Sequence, residues 1–402
     1  MLSGLDQLSS GHAGNLRRRL RNARVGLLTH AAAIDRRGRH GLDVLEELGV
    51  GPALLFAPEH GLDAVAQAEE AVPGSGKDGI TVISLYGDSR ESLTPTADQL
   101  AQIDLLVIDL VDIGSRYYTY VWTALLALRA AAAAGVHVVI LDRPNPISGD
   151  PGKLEGVPQA EGYLSFVGLE PLPIRHSMTI AELLLHFCER DGLALGPDGA
   201  VSVVPTRGWE RFKTAEAWGR PFIPPSPNMP TLETALVYPG GCLVEGTNLS
   251  EGRGTTLPFS TVGAPYLDGR ALAAALVEHG TPGALVRPVS FRPTFEKHAG
   301  QICHGVMLHV TDADLFRPVA TYLTLVTLAR AQAPEAFAFR SEPYEFETEI
   351  PAFDLLTGSS AARQAIVDGA PPADVAALVC PVPPELRGVV LEAEERLRRA
   401  VA

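Results

Sequence analysis

The sequence predicts an α/β protein with a doubly wound, mostly parallel sheet and a second, smaller α/β or α+β domain at the C-terminal end. Three observations support this. Short, continuously apolar runs recur before residue 145, helical patterns separate several of them, and helices mix with short strands after residue 265. Strands that are apolar on both faces are typical of a parallel sheet covered by helices. We place the two domains at residues 1–225 and 226–402.

Five segments have the pattern of buried strands. They are RVGLLTH (24–30), ALLFAPE (53–59), ITVISLYG (80–87), IDLLVIDLVD (103–112) and GVHVVILDRP (135–144). The segments at 40–48 and 120–134 have the pattern of helices. This alternation predicts a parallel sheet with crossover helices.

A further helix is predicted within residues 175–192. Thr179 and Glu182 have the spacing of a capping box, and Gly192 is a suitable stop. Arg175 and His176 precede this helix, where the helix dipole and free N–H groups favour an anion.

The segment 224–265 is dense in Pro, Gly, Asn and Thr. Structureless loops longer than ~12–15 residues are uncommon unless they are functional. We therefore interpret this segment as a loop-rich wall of an active site near the domain boundary.

Composition excludes several classes of function. The formal charge of −14, from 33 basic and 47 acidic residues, argues against binding of nucleic acid or anionic membranes. The N-terminus lacks the order of a secretory signal, and no apolar run approaches the ~20 residues of a membrane span. Four widely spaced cysteines without a Cys-x-x-Cys pair suit reduced thiols. We expect a cytoplasmic protein; its oligomeric state cannot be derived from the sequence.

Polar or ionisable residues follow each of the five predicted strands. They are Thr29-His30, Glu59-His60, Tyr86-Gly87, Asp109 with Asp112, and Asp142-Arg143-Pro144-Asn145. In parallel α/β sheets ligands bind beyond the carboxyl ends of the strands. The sequence therefore predicts a binding site at this edge of the sheet.

Nucleotide and metal signatures are weak. The segment PGSGKDG (73–79) departs from a phosphate-binding loop because Ala71 and Asp78 replace the required Gly and Ser or Thr, and no G-x-G-x-x-G follows the first strand. His304 and His309 are five residues apart on a predicted strand, so their side chains point to opposite faces. We expect neither a cofactor nor a metal.

Three motifs supply candidate site residues. Glu59 and His60 in APEHG are candidates for acid–base chemistry, although a solvated turn explains a lone Glu-His pair equally simply. Asp142 and Arg143 in LDRPNP could merely pair with each other. Other candidates lie in DLVDIGSRYYTYVWT (109–123) and in EGTNLSEGRGTT (245–256), of which the second could be a solvated loop. Carboxylates, amides, arginines and tyrosines without a nucleotide signature indicate a carbohydrate site.

The chain resembles the NamZ-type exo-β-N-acetylmuramidases from about residue 3 to the C-terminus. The resemblance lies in FAPEHG, SLYG, DIGSRYYTY, LDRPNP, RHSMTIAEL and PPSPNMPTLETALVYPGGCLVEGTNLSEGRGTTLPF. It implies a Rossmann-like N-terminal domain, a smaller C-terminal domain and a cleft between them. The implied activity is release of N-acetylmuramic acid (MurNAc) from the non-reducing end of peptidoglycan fragments such as MurNAc-GlcNAc.

The resemblance also implies site residues. Glu59 matches the proposed catalytic glutamate, and Glu245, Glu251, Asp112 or the 2-acetamido group of the substrate would stabilise the transition state. The expected substrate-binding residues are His60, Arg116, Tyr118, Arg143, Asn145, Arg175, His176, Asn228, Asn248 and Arg253. Arg175 with His176 is the expected partner of the lactyl carboxylate, and Arg253 is the alternative. Thr29-His30 and Val111 depart from the family pattern on the expected cleft side, and Ser177 and Ala181 depart from it elsewhere.

Two other functions fit the same residues. A sugar or muropeptide sensor on the same fold would bind without turnover, because fold does not fix chemistry. A metal-dependent amidase would lose activity with a chelator, and the sequence offers little support for it.

Overall fold

The computed structural model describes residues 1–77 and 79–402. Asp78, used above to exclude a phosphate loop, lies outside the described residues. The strands are β1 (Val25–Thr29), β2 (Leu54–Ala57), β3 (Ser75–Lys77), β4 (Ile80–Ser84), β5 (Leu105–Asp109), β6 (His137–Leu141), β7 (Val201–Val204), β8 (Thr261–Ala264), β9 (Ala284–Phe291) and β10 (Cys303–Val310).

Helices occur throughout these residues. They are α1 (Gly4–Ser10), α2 (Gly14–Arg21), α3 (Gly41–Glu47), α4 (Ala97–Leu100), α5 (Tyr120–Ala133), α6 (Ile180–Arg190), α7 (Leu232–Gly241), α8 (Gly269–His279), α9 (Pro318–Gln332), α10 (Ala352–Thr357), α11 (Ala361–Val367), α12 (Pro372–Val379), α13 (Pro384–Leu391) and α14 (Ala393–Ala400).

The predicted fold class is confirmed. Within the described ranges a seven-stranded sheet has the order β3-β4-β2-β1-β5-β6-β7, in which only β3 is antiparallel to its neighbour. The strands β1, β2 and β5 are buried along their whole length, because their continuous apolar sequence suits a sheet that is covered on both faces. All five predicted strands are present in this sheet.

A second, antiparallel sheet of order β8-β10-β9 lies in the C-terminal half. Helices α8 and α9 pack against each other, and α9 also contacts α7 and α12. One large apolar core includes Leu106 and Ile108 of β5 and Val306 of β10, so it is continuous between the two sheets. The domain boundary at residues 225 and 226 stays a prediction.

The segment 224–265 is more regular than the predicted loop-rich wall. It contains α7, whose start is capped by the Thr231 side chain, and β8. The high proline and glycine content led to the prediction of loops, but Pro239 lies inside α7 and is buried there. The helix predicted at 175–192 is α6, and the capping box between Thr179 and Glu182 is formed. No helix in the described parts of the chain is long and apolar enough to cross a membrane.

Candidate active site

A polar pocket lies beyond the carboxyl end of β2. Loops after the parallel strands form one side of it, and the segment from 226 to 259 with residues 344 and 345 forms the other. Its lining residues are Glu59, His60, Ala68, Tyr117, Tyr118, Thr119, Tyr120, Val167, Ser226, Asn228, Met229, Tyr238, Glu245, Arg253, Phe259, Tyr344 and Glu345.

Glu59 faces this pocket and is only 5% exposed. Its Oε2 accepts a hydrogen bond of 2.6 Å from the Thr119 hydroxyl, and its Oε1 accepts a long one, 3.4 Å, from the Glu69 backbone N–H. No arginine or lysine among the described residues forms a salt bridge with this carboxyl group. A hydroxyl can donate to either protonation state of a carboxyl group, so Glu59 is positioned without being fixed as an anion.

His60 holds the turn that follows Glu59. It has a left-handed backbone (φ 68°), and its Nδ1 lies 2.8 Å from the Ala66 carbonyl oxygen, to which it donates. The other ring nitrogen, Nε2, lies 4.0 Å from Oε1 of Glu59. A non-glycine residue in this conformation is strained, and such strain is found at functional sites.

On the opposite side of the pocket, acidic and basic groups are paired. Arg253 donates to Oε1 of Glu245 at 2.6 Å and lies 3.3 Å from Oε1 of Glu251, whose Oε2 is 2.9 Å from Nζ of Lys297. Tyr344 donates its hydroxyl to Oε2 of Glu245 at 2.7 Å. This network positions the guanidinium of Arg253 at the pocket wall.

The pKa values of this network reflect the pairing. Burial alone would raise the pKa of Glu251, but the charges of Lys297 and Arg253 outweigh burial and lower it. Burial likewise opposes ionisation of Arg253, yet Glu245 and Glu251 raise its pKa. These groups are therefore charged at neutral pH.

Tyr118 contributes a free hydroxyl group. The residue is 5% exposed and lines the pocket, and its OH has no hydrogen-bond partner among the described residues. Its ring packs against Tyr120 and Tyr238, with centroids 4.8 and 6.2 Å away. Burial raises the pKa of Tyr118, so the hydroxyl keeps its proton and can donate it to a ligand.

Asn228 also lies in the pocket, as predicted. Its Nδ2 donates to Oε1 of Gln67 at 2.9 Å, which joins the segment after Ser226 to the loop after His60. The predicted residues that the structure brings together at the pocket are thus Glu59, His60, Tyr118, Asn228, Glu245 and Arg253. Their functional roles stay predictions.

Three predicted arginines lie away from the pocket, and each donates hydrogen bonds to protein groups. Arg116 donates to the carbonyls of Val157, Leu172 and Leu356 and to Gln159. Arg175 donates to the Ile147 carbonyl at 2.6 Å. Burial lowers the pKa of each of these two groups to about 10.

Arg143 pairs with Asp109 through two hydrogen bonds of 2.5 and 3.0 Å, and not with Asp142. It borders a separate cavity, as does Val111. Arg143, Arg116 and Arg175 therefore position loops, and the expected contact of Arg175 with a lactyl carboxylate is not formed at this pocket.

Five further predicted residues also serve the surrounding structure. Asp112 accepts from the Gly114 N–H and lies 3.2 Å from His176, while Asn145 bonds to Met178 and Ile147. Asn248 is held by Ala336, Ala338 and Tyr266, and Glu251 lies behind Arg253. None of Asp112, Asn145, His176, Asn248 or Glu251 lines the pocket.

The departures in the first strand motif also lie outside the pocket. His30 is fully buried and its Nε2 accepts from the Val111 N–H at 3.1 Å, so His30 and Val111 join the ends of β1 and β5. Burial holds the pKa of His30 well below its ordinary value. Neither His30 nor Val111 lines the pocket, so no contact there supports their expected influence on the accepted leaving group.

Sequence reasoning missed Glu345, Tyr344 and Thr119. Glu345 lines the pocket, is 7% exposed, and accepts a hydrogen bond of 2.9 Å from the Tyr86 hydroxyl. The motif SLYG could have indicated this part of the pocket, because its Tyr86 follows β4 at the same edge of the sheet. The surrounding SEPYEFETE reads as a solvated acidic loop, and nothing in it marks the buried carboxyl.

Within residues 1–77 and 79–402, no group of three or more His, Cys, Asp or Glu side chains could hold a metal ion. The pocket therefore offers carboxyl, hydroxyl, amide and guanidinium groups, which suit proton transfer and hydrogen bonding to a polar ligand.

Comparison with known proteins identifies the family. The models described as "Exo-beta-N-acetylmuramidase NamZ", N-terminal and C-terminal, match residues 25–233 and 236–381. The chain belongs to the NamZ family. A relative, the peptidoglycan beta-N-acetylmuramidase NamZ of Bacillus subtilis (strain 168), is 39% identical over 370 residues, which cover 91% of this chain and 84% of the relative.

Two crystal structures of DUF1343 family proteins from Bacteroides fragilis NCTC 9343 share the NamZ fold of this chain. The first has a TM-score of 0.82 and 27% identity and covers 99% of this chain and 98% of its own. The second has a TM-score of 0.69 and 25% identity and covers 100% and 98%. The likeness therefore extends over both sheets.

Proposed function

We propose that the pocket around Glu59 is where this chain removes N-acetylmuramic acid from the non-reducing end of peptidoglycan fragments such as MurNAc-GlcNAc. The chain is a glycosidase of the exo-β-N-acetylmuramidase family. The observation that carries the assignment to this pocket is Glu59: a buried carboxyl group that lines a polar pocket and, among the described residues, forms no salt bridge with an arginine or lysine.

In this proposal Glu59 is the general acid. Its carboxyl proton passes to the glycosidic oxygen as the bond from that oxygen to the anomeric carbon breaks, and water then supplies the hydroxyl group of the released sugar. Thr119, 2.6 Å from Oε2, orients the carboxyl group. Microscopic reversibility lets the resulting carboxylate take a proton from the attacking water.

The second catalytic group is then the 2-acetamido carbonyl of the substrate or Glu245. Glu245 is the remaining candidate among the predicted acids, because Asp112 and Glu251 do not line the pocket. Both oxygens of Glu245 already accept hydrogen bonds, from Arg253 and Tyr344. That occupancy favours participation of the acetamido group, as in the substrate-assisted glycosidases.

Substrate recognition is assigned to Arg253, Tyr118 and Asn228. Arg253 replaces Arg175 as the expected partner of the lactyl carboxylate, since its guanidinium lines the pocket. The free Tyr118 hydroxyl and the Asn228 amide supply hydrogen bonds to sugar oxygens.

A chromogenic β-glycoside of MurNAc tests this function. We expect release of the chromophore, with no loss of rate when a chelator is added. Saturable binding of the glycoside without release would favour the sensor. No release of the chromophore, together with chelator-sensitive hydrolysis of a MurNAc-peptide amide bond, would favour the metal-dependent amidase.

The cytoplasmic location belongs to the same proposal. A cytoplasmic enzyme would act on small fragments that have already entered the cell. Fractionation of cells that produce this chain, followed by detection with an antibody, tests this; recovery outside the cytoplasmic fraction would contradict it.

A further inference from the structure

Glu345 is the residue of the pocket that the mechanism above leaves without a role. Its carboxyl group lines the pocket and faces the carboxyl groups of Glu59, Glu69 and Glu245. Its one hydrogen bond within the described residues is from the Tyr86 hydroxyl to Oε2. A buried carboxyl group with so little compensation is costly as an anion.

The backbone holds Glu345 in this position at a cost. Glu345 and Phe346 both have left-handed backbone angles, φ 47° and 65°. The ring of Phe346 packs against Tyr86 and Phe166, with centroids 5.3 and 6.1 Å away. Consecutive strained residues that persist because aromatic packing fixes them are a feature of functional sites.

The nearby cations are already paired with other acids. Arg253 is shared by Glu245 and Glu251, and Arg340 forms two hydrogen bonds with Glu69. His60 lies beside Glu59 and donates from Nδ1 to the Ala66 carbonyl. No basic side chain is left to neutralise Glu345 among the residues that the structure describes.

We propose that Glu345 is a specificity-determining residue whose neutral carboxyl group donates a hydrogen bond to the substrate and so lets the pocket accept an anionic sugar. The inference rests on the proposed function, because MurNAc carries a lactyl carboxylate that an ionised Glu345 would repel. Burial, together with the charges of Glu59 and Glu69, raises the pKa of Glu345 well above its ordinary value, in agreement with this role. Sugar binding should therefore weaken when rising pH removes this proton.

Steady-state kinetics with the chromogenic MurNAc glycoside between about pH 5 and 9 test the proposal. Wild-type kcat/KM should fall at the alkaline end, mainly through KM. Glu345→Gln keeps a neutral donor, so we expect activity within about threefold of wild type at acidic pH and an alkaline decline that lacks the rise in KM. Glu345→Ala should lose about tenfold to a hundredfold in kcat/KM at acidic pH. Glu349→Gln, at an exposed position of the same segment, should match wild type throughout.

Two results would overturn the proposal. One is a Glu345→Gln profile with the wild-type rise in KM at alkaline pH. The other is a loss of kcat in Glu345→Gln as large as that in Glu59→Gln, which would make Glu345 a proton-transfer group. Circular dichroism of each variant shows whether it is folded.

Calorimetric titration with free MurNAc and with GlcNAc separates this proposal from the proposed function. Without turnover, MurNAc binding that weakens with rising pH and is lost in Glu345→Ala would support the role of Glu345 and sink the glycosidase assignment. Turnover with pH-independent MurNAc binding would support the glycosidase assignment and contradict the role of Glu345.

Discussion

Two pairs of carboxyl groups in and around the pocket are stabilised in different ways. Glu245 and Glu251 are held by Arg253 and Lys297 in a buried network of ion pairs. Glu59 and Glu345 receive hydrogen bonds from hydroxyl groups, those of Thr119 and Tyr86. Cations fix a carboxyl group as an anion, whereas hydroxyl groups position it and leave its proton free to move. We therefore propose that the first pair serves structure and anion recognition, that Glu59 transfers a proton and that Glu345 donates a hydrogen bond.

The largest effect that this comparison predicts is in Glu59→Gln. Glutamine can still accept the Thr119 hydroxyl but cannot deliver a proton, so kcat should fall by at least about a thousandfold. Calorimetry should show MurNAc binding within a fewfold of wild type. The exposed Glu161→Gln is the matched control. Turnover close to wild type in Glu59→Gln would remove this residue as the acid.

For the ion-paired carboxyl groups, Lys297→Met should lower the free energy of unfolding. The change leaves Glu251 with Arg253 alone, and breaking a buried pair in this way costs ~3 kcal/mol in the free energy of unfolding. Urea unfolding measures it, with the exposed Lys213→Met as the control. An unchanged unfolding free energy would show that the network does not need this cation.

Asp142 extends the comparison to a buried carboxyl group outside the pocket. It accepts from the Ala181 N–H without a cation, and burial raises its pKa to about 7. The folded state thus binds an extra proton between about pH 4 and 7, so stability should fall across that window as pH rises.

The fall is about 1.4 kcal/mol per pH unit. In Asp142→Asn this component is absent, because the amide oxygen still accepts but does not titrate. Urea unfolding of both proteins at pH 5 and pH 7 measures the difference. Parallel pH dependences in the two proteins would refute the assignment.

The smallest predicted effect is in Tyr118→Phe. Loss of a hydroxyl that has no hydrogen-bond partner among the described residues should leave stability unchanged, and it should lower kcat/KM by about tenfold if that hydroxyl bonds the sugar. Tyr163→Phe, outside the pocket, is the control. Unaltered kinetics in Tyr118→Phe would place the sugar elsewhere in the pocket.

The sheet could be predicted because burial leaves a direct trace in the sequence. Continuous apolar runs such as LLVID in β5 are buried on both faces, and the polar residue after β2, Glu59, reaches the pocket at the expected edge. The wall at 224–265 was harder, since Pro239 is a helix breaker in general but lies inside α7. Tertiary packing overrides local propensity there.

The site was only partly predictable, for a different reason. The sequence does not distinguish Arg116, whose guanidinium is bound by backbone carbonyls, from Arg253, whose guanidinium lines the pocket. Glu345 was missed because its burial depends on packing of Phe346 against Tyr86, from distant parts of the chain. Residue type and spacing show which functional groups the chain contains, and the fold determines which of them remain unpaired.

A crystal structure of Glu59→Gln with bound MurNAc-GlcNAc tests the central claim most directly, because the variant binds the fragment without cleaving it. The account predicts the muramyl ring inside the pocket, the residue-59 side chain within about 3 Å of the glycosidic oxygen, and Glu345 at hydrogen-bonding distance from the sugar. A muramyl ring outside this pocket, with position 59 far from the glycosidic bond, would contradict it.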